Sequence, residues 1–250
     1  MKIAPTLILL ALAVEVLLIL LFAAVPWPKG GNLEYLFDLN QERNIPAYFS
    51  TLQLFLVSLA FGIFAWRNSR RDNLRSMFLW VLPLLFLGLS VDEFCGLHEM
   101  LGRTSDWFLP GGKRAGSTFW NTGIWMFVLG IPFMIGTLAA FWINRAYLAV
   151  TPGVQGKFLV GFLVFMGGAL GVESLSNFIA PDSSLHLWQV ILEEGMEMGG
   201  VTLILWAAID TLRGHGFAFR MDPVDLSRND RRIEPTPQEI PIDRDGSIGD

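Results

Sequence analysis

The sequence predicts an all-α integral membrane protein, a polytopic bundle of six transmembrane helices with both termini in the cytoplasm. Three observations predict it. Of 250 residues, 52% are hydrophobic and only 16% charged, and the mean hydropathy is +0.47, too apolar for a soluble domain of this length. Six stretches approach the ~20 largely apolar residues that cross a bilayer. None has the ~10-residue alternation of a membrane β-barrel. Lipid offers no partner to backbone N–H and C=O groups, so these stretches must be helical.

The first stretch, residues 5–25, follows Lys2 as a secretory signal would, but its apolar run from Leu7 to Val25 is too long for one. No small-x-small cleavage site follows, so it is expected to remain as an anchor. The others lie at 46–66, 76–100, 118–142, 157–180 and 185–210. Between the first two, "PKGGNLEYLFDLNQERNIP" carries Leu33, Tyr35, Leu36, Phe37 and Leu39, which predict a short interfacial element. Residues 1–212 thus form the six-helix domain. Residues 213–250 carry Pro and mixed charge without apolar periodicity, which predicts a disordered cytoplasmic tail.

Basic residues set the orientation. Thirteen of the 18 Lys and Arg, including Arg67, Arg70, Arg71, Arg75, Arg145 and Arg213, fall on the side shared by the termini. Lys29, Arg43, Arg103, Lys113 and Arg114 fall on the other. The positive-inside bias places the termini inside, in a bacterial cytoplasmic membrane. The net charge of −5 arises largely from acids within or beside the spans, so nucleic acid is not indicated as a partner. Cys95 is the only cysteine, and no internal disulfide forms. The lipid bilayer is the one partner the sequence identifies; nothing in it sets an oligomeric state.

The informative residues are acids where lipid should be. At 1.5 Å per residue, Asp92 lies ~24 Å along the third stretch, Glu173 ~24 Å along the fifth, and Glu193 ~12 Å below the start of the sixth. Three helices therefore bring carboxylates to one level of the outer leaflet. On ideal helices Asp92 and Glu99 share a stripe flanked by Glu93 and His98, and His186, Gln189, Glu193 and Glu197 share another. Antiparallel packing of the third and sixth stretches would set Asp92 near Glu193, and Glu99 or His98 near His186. Gly167-x-x-x-Gly171 and Gly195-x-x-x-Gly199 predict close approach of the fifth and sixth. Glu15 stands alone near mid-depth, most simply hydrogen-bonded to a neighbouring helix.

Six such carboxylates, Glu194 included, would cost on the order of 15 to 20 kcal/mol if charged and uncompensated, more than a typical folding free energy of ~5 to 15 kcal/mol. No lysine or arginine lies in the outer halves of these stretches. Compensation must come from protonation, water or a bound cation. Carboxylates with one or two imidazoles suit Fe, Mn or Zn. Asp92, Glu93, His98, Glu99, Glu173, His186, Glu193 and Glu197 are therefore the candidate ligands of one or two divalent metal ions. His98 and Glu99 serve equally well as an outer helix cap, and His186 beside Trp188 suits an interface residue better than a ligand.

That stock approaches the four acids and two histidines of a dinuclear carboxylate site in a helical bundle, but no Glu-x-x-His spacing is present. "HEMLG" lacks the second His of a zincin, and no nucleophile elbow or phosphate-binding glycine loop occurs. The expectation is a membrane-embedded metal site acting on a lipid-phase substrate. A small cation or proton-coupled transporter and a scaffold with neutral, hydrogen-bonded acids are the rivals.

The pattern "FDLNQERNIPAYFS", "SVDEFCGLHE", "GVES" and "LEEGMEMGG" resembles a family of polytopic bacterial membrane proteins with intramembrane SxDExxxxHE and EExxEM motifs. The resemblance covers most of residues 36–200. It implies the multi-pass topology and no particular activity.

Overall fold

A computed structural model describes residues 3–26, 30–69, 77–180 and 183–217. Among them every regular element is helical. Of the predicted tail, 213–250, residues 213 and 214 still belong to the last helix and residues 218–250 lie outside the described residues, as do Lys2, Lys29, Arg70, Arg71 and Arg75.

Helix α1 (Ile3–Ala24) is apolar around its whole circumference except for Thr6 and Glu15. The short α2 (Asn32–Phe37) is the interfacial element expected from the first loop. Helix α3 (Ile45–Asn68) begins where Asn44 caps it: the side-chain oxygen accepts the Ala47 N–H at 3.2 Å, and Pro46 occupies the first turn. The Asn44 amide also donates to the carbonyls of Tyr35 (3.0 Å) and Asp38 (2.6 Å), tying the loop to the helix start. Helices α4 (Val81–Cys95) and α5 (Leu97–Ser105) follow, then α6 (Ile131–Leu148), α7 (Val154–Met166) and α8 (Ser184–Gly214). Ser183 caps α8 by accepting the Leu185 N–H at 3.2 Å.

Five helices are long and apolar enough to cross a membrane: Pro5–Ala24, Ile45–Asn68, Phe78–Cys95, Met126–Leu148 and Val154–Phe178. The sixth predicted stretch, 185–210, lies in α8, which is 31 residues long and is not among these five. It differs from the others in carrying Glu193, Glu194, Glu197 and Asp210 along its length.

Three local features depart from ideal helices. The predicted third stretch, 76–100, is broken at Gly96, whose φ of 65° is left-handed and suits glycine. The fourth starts at Met126 rather than at 118, because residues 117–123 are folded into turns held by Asn177. The Asn177 side-chain oxygen accepts the N–H groups of Asn121 (3.1 Å) and Thr122 (3.2 Å), and its carbonyl accepts Trp120 Nε1 at 2.8 Å. The fifth passes through a π-turn at Gly167–Val172, which changes the azimuth of all that follows.

The core fills the half of the bundle away from α2. Phe61 of α3, Phe86 of α4, Phe141 of α6 and Phe158 and Phe162 of α7 are buried together, with Phe141 and Phe158 stacked at 4.9 Å. The fifth and sixth predicted stretches pack closely, as the glycine spacings predicted, and Gly167 takes part, a Cβ there lying 2.8 Å from Met196 Cε of α8, but the backbone contacts are made by other glycines. A Cβ on Gly161 or on Gly200 would lie 2.7 Å from the other's carbonyl oxygen, and one on Gly168 would lie 2.7 Å from that of Glu193. Gly195 and Gly199 instead face Ile19 and Glu15 of α1, and Gly171 meets nothing within 4 Å.

Candidate functional site: an acid-walled cavity

Toward the α2 end the bundle is hollow. A cavity of about 520 Å³ is enclosed by the loop before α3 and by α3, α4, α5, α7, α8 and the turn leading into α6. Helices α4 and α8 both line it without extensive packing on one another. The third, fifth and sixth predicted stretches therefore do meet, across a chamber. Glu42, Asp92, Glu93, His98, Glu173, Glu193, Glu194 and Glu197 line its wall, and among the described residues no Lys or Arg does.

The break at Gly96 organises the first group. Helix α4 ends there, the chain turns, and Asp92 becomes the cap of α5: its Oδ1 accepts the His98 backbone N–H at 2.6 Å. Its Oδ2 faces His98 Nδ1 at 3.1 Å. The Asp92 and Glu99 stripe of an unbroken helix is thereby replaced by an Asp92 and His98 pair. On its other side His98 Nε2 lies 3.7 Å from Glu42 Oε1, and its ring lies 5.0 Å from that of Trp125. Burial works against a charged imidazole here. The Asp92 hydrogen bond and the charges of Asp92, Glu173 and Glu42 outweigh it and push the His98 pKa up to about 9. The ring is thus an imidazolium at neutral pH and must lose a proton before it can bind a metal. The side chain of Glu99 lies outside the described residues.

The second group hangs from α8. His186 Nδ1 is 3.0 Å from Gln189 Oε1, and Gln189 Nε2 donates to Glu193, so the predicted stripe is a hydrogen-bonded row that runs into the cavity. His186 does not itself line the cavity. It lies in the electrostatic neighbourhood of Asp38 rather than beside His98. Glu194 and Glu197 complete the α8 face, with Glu93, Glu173 and Glu193 near enough to repel both. Ser176 and Asn177, which an ideal helix would align with Glu173, part from it because the helix tightens into a 3₁₀ turn over Ser176–Phe178. Glu173 reaches the cavity and accepts Trp125 Nε1 at 3.3 Å, while Ser176 and Asn177 bind the 120–122 turn.

Sequence reasoning left out Glu42, Trp125 and, as a site residue, Glu194. Glu42 sits in a loop whose position follows from the Asn44 cap and from Arg43 Nη2 donating to the Cys95 carbonyl at 3.3 Å, neither of which spacing encodes. Glu194 carried a signal, since it adjoins Glu193. Among the described residues no three His, Cys, Asp or Glu side chains converge closely enough to hold a metal ion as they stand.

Glu15 does not join the cavity. It is buried between three helices, where its Oε1 accepts Gln53 Nε2 at 2.8 Å and the Thr202 hydroxyl, consistent with the expected link to neighbouring helices. At the opposite end of α8, Asp210 pairs with Lys157 at 2.6 Å and Arg213 at 3.6 Å.

The family "Domain of unknown function (DUF8692)" matches residues 6–211, and the chain belongs to it. No curated protein and no solved structure matches the chain.

Proposed function

For this member of the family, we propose an integral membrane protein of six spans with both termini cytoplasmic, in which α8 is the sixth span and the acid-walled cavity opens outward. In this reading the cavity binds one or two divalent cations and serves chemistry on a lipid-phase substrate. One observation carries it: seven carboxylates and His98 line a single cavity whose wall, among the described residues, has no Lys or Arg. Such a wall has to be neutralised, and a cation does so without stripping protons from water. The donor set suits Mn, Fe or Zn. Glu93, Glu173, Glu193 and Glu197 are the first candidates to hold the ion, each with rotatable χ angles that allow closure onto it. Asp92 is engaged with His98 and would act mainly to orient it.

The test is elemental analysis of protein purified without chelator, beside the Glu193→Ala and Glu197→Ala variants. Near-stoichiometric metal that falls in both variants is expected. A folded wild-type protein that neither carries metal nor takes up added Mn²⁺, Fe²⁺ or Zn²⁺ overturns the reading.

A transport reading has one observation in its favour. The Glu15, Gln53 and Thr202 cluster continues the polar lining of α8 past Glu197 toward the cytoplasmic half. Acid-dependent ion flux in proteoliposomes, lost in Glu15→Gln, would select it over the metal site.

A further inference from the structure

The cavity wall changes character along three helices in the same direction. On α4 its lining passes from Leu84, Leu85 and Leu89 to Asp92 and Glu93, a run of ~12 Å from Leu84 to Asp92 at 1.5 Å per residue. Along α7 and the π-turn beyond it the lining passes from Phe165 and Met166 to Glu173, and along α6 and the antiparallel segment leading into it from Phe133 and Leu129 to Trp125, whose Nε1 donates to Glu173. The chamber thus has an apolar half deep in the bundle and an acidic half toward α2. A bare ion has no use for the apolar half.

The apolar half also has a side opening. Leu84 lines the cavity and is still 59% exposed. One turn on, Gly88 lines it and is exposed too, and a Cβ there would meet nothing within 4 Å. Across the gap stand Leu129 and Phe133, half-buried. All four lie within candidate spans, so this opening faces hydrocarbon and not water.

Building on the cation reading above, we propose that the substrate is a single-chain amphiphile, a long-chain alcohol or amine, that slides in from the bilayer between α4 and the fourth span. Its chain lies along Leu84, Phe133 and Met166, and its head meets the carboxylates. The size fits: about 520 Å³ is within the ~300–1,000 Å³ range of small-ligand pockets and admits one chain rather than a whole two-chain phospholipid. The charge fits as well. The seven carboxylates outnumber the positive charge of His98 and two divalent ions together, and no Lys or Arg is among the described lining, so a head that donates hydrogen bonds or carries positive charge is accepted, whereas a phosphate or carboxylate head is repelled.

The experiment uses the full chain in nanodiscs with photoactivatable diazirine analogues of hexadecanol, hexadecylamine and palmitate, crosslinked sites being mapped by mass spectrometry. The alcohol and amine are expected to label Leu129, Phe133 and the 165–170 segment about tenfold more than palmitate does. Gly88→Phe, which plugs the opening where space is free, should remove that labelling while leaving metal content unchanged. Leu84→Trp narrows the same opening from the next turn and serves if Gly88→Phe does not fold. Equal labelling by palmitate, or labelling that survives a folded plug variant, overturns the proposal. Metal-free wild-type protein that keeps the head-selective, plug-sensitive labelling overturns the metal reading and leaves the lipid-phase route standing.

Discussion

Asp92 and His98, six residues apart, are joined across a helix break, with the Asp92 carboxylate accepting the His98 backbone N–H at 2.6 Å and facing its Nδ1 at 3.1 Å. One side chain thereby caps the start of α5 and holds the imidazole beside the cavity. The pair exists only because Gly96 between them takes a left-handed turn.

Replacing Gly96 by Ala should be costly for two separable reasons. The left-handed backbone costs a β-carbon about 1–2 kcal/mol, and that β-carbon would run into the Glu42 carboxylate. Thermal melts of Gly96→Ala, Glu42→Ala and the double variant should show non-additivity, because removing Glu42 relieves the clash and leaves the backbone strain. Strict additivity would place Glu42 elsewhere.

Stability should depend on pH through His98. Its folded pKa, about 9, lies above its ordinary value of 6.5, so its contribution is complete below pH 6.5 and is lost as pH rises through 9. Wild-type protein should melt at lower temperature at pH 9.5 than at pH 6.5, and Asp92→Asn should flatten that difference. A pH-independent melt in the wild type across this window contradicts the charged pair.

Gln53→Leu should destabilise the bundle by about 1–3 kcal/mol, because it leaves the buried Glu15 carboxyl without one of its donors. Glu15→Gln, which keeps a hydrogen-bonding amide at the same place, should cost less. Chemical-denaturation or steric-trapping measurements in bicelles rank the two, and the reverse order would mean that Glu15 has another partner.

The two glycine sets give a direct comparison. Gly200→Ala pushes a methyl against the Gly161 carbonyl oxygen and should cost about 1–3 kcal/mol. Gly171→Ala meets open space and should be neutral or stabilise by up to about 1 kcal/mol. Equal losses at both sites would restore the simple small-x-x-x-small picture.

Much of this arrangement is legible in the chain alone, since hydropathy is a property of composition and length. Residues 5–25, 46–66 and 157–180 anticipate Pro5–Ala24, Ile45–Asn68 and Val154–Phe178 to within a few residues, because a run that must hide its backbone from lipid has one solution. The common level of Asp92, Glu173 and Glu193 is readable too, as rise per residue is nearly constant. Azimuth is less forgiving. Each irregular turn rotates everything beyond it, so the break at Gly96 cancelled the Asp92 and Glu99 stripe, and the 3₁₀ turn at Ser176–Phe178 parted Asn177 from Glu173.

By itself, then, the sequence determined a multi-span helical membrane protein with acids gathered at one depth, since both follow from local polarity and a fixed rise. Only the tertiary structure decided that these acids surround a chamber, that Glu42 and Trp125 join them, and that α7 and α8 meet at Gly161 and Gly200. Those outcomes depend on which helices are neighbours and how each is turned. In a lipid solvent that choice is made by the fit of surfaces and polar partners, because every candidate face is comparably apolar.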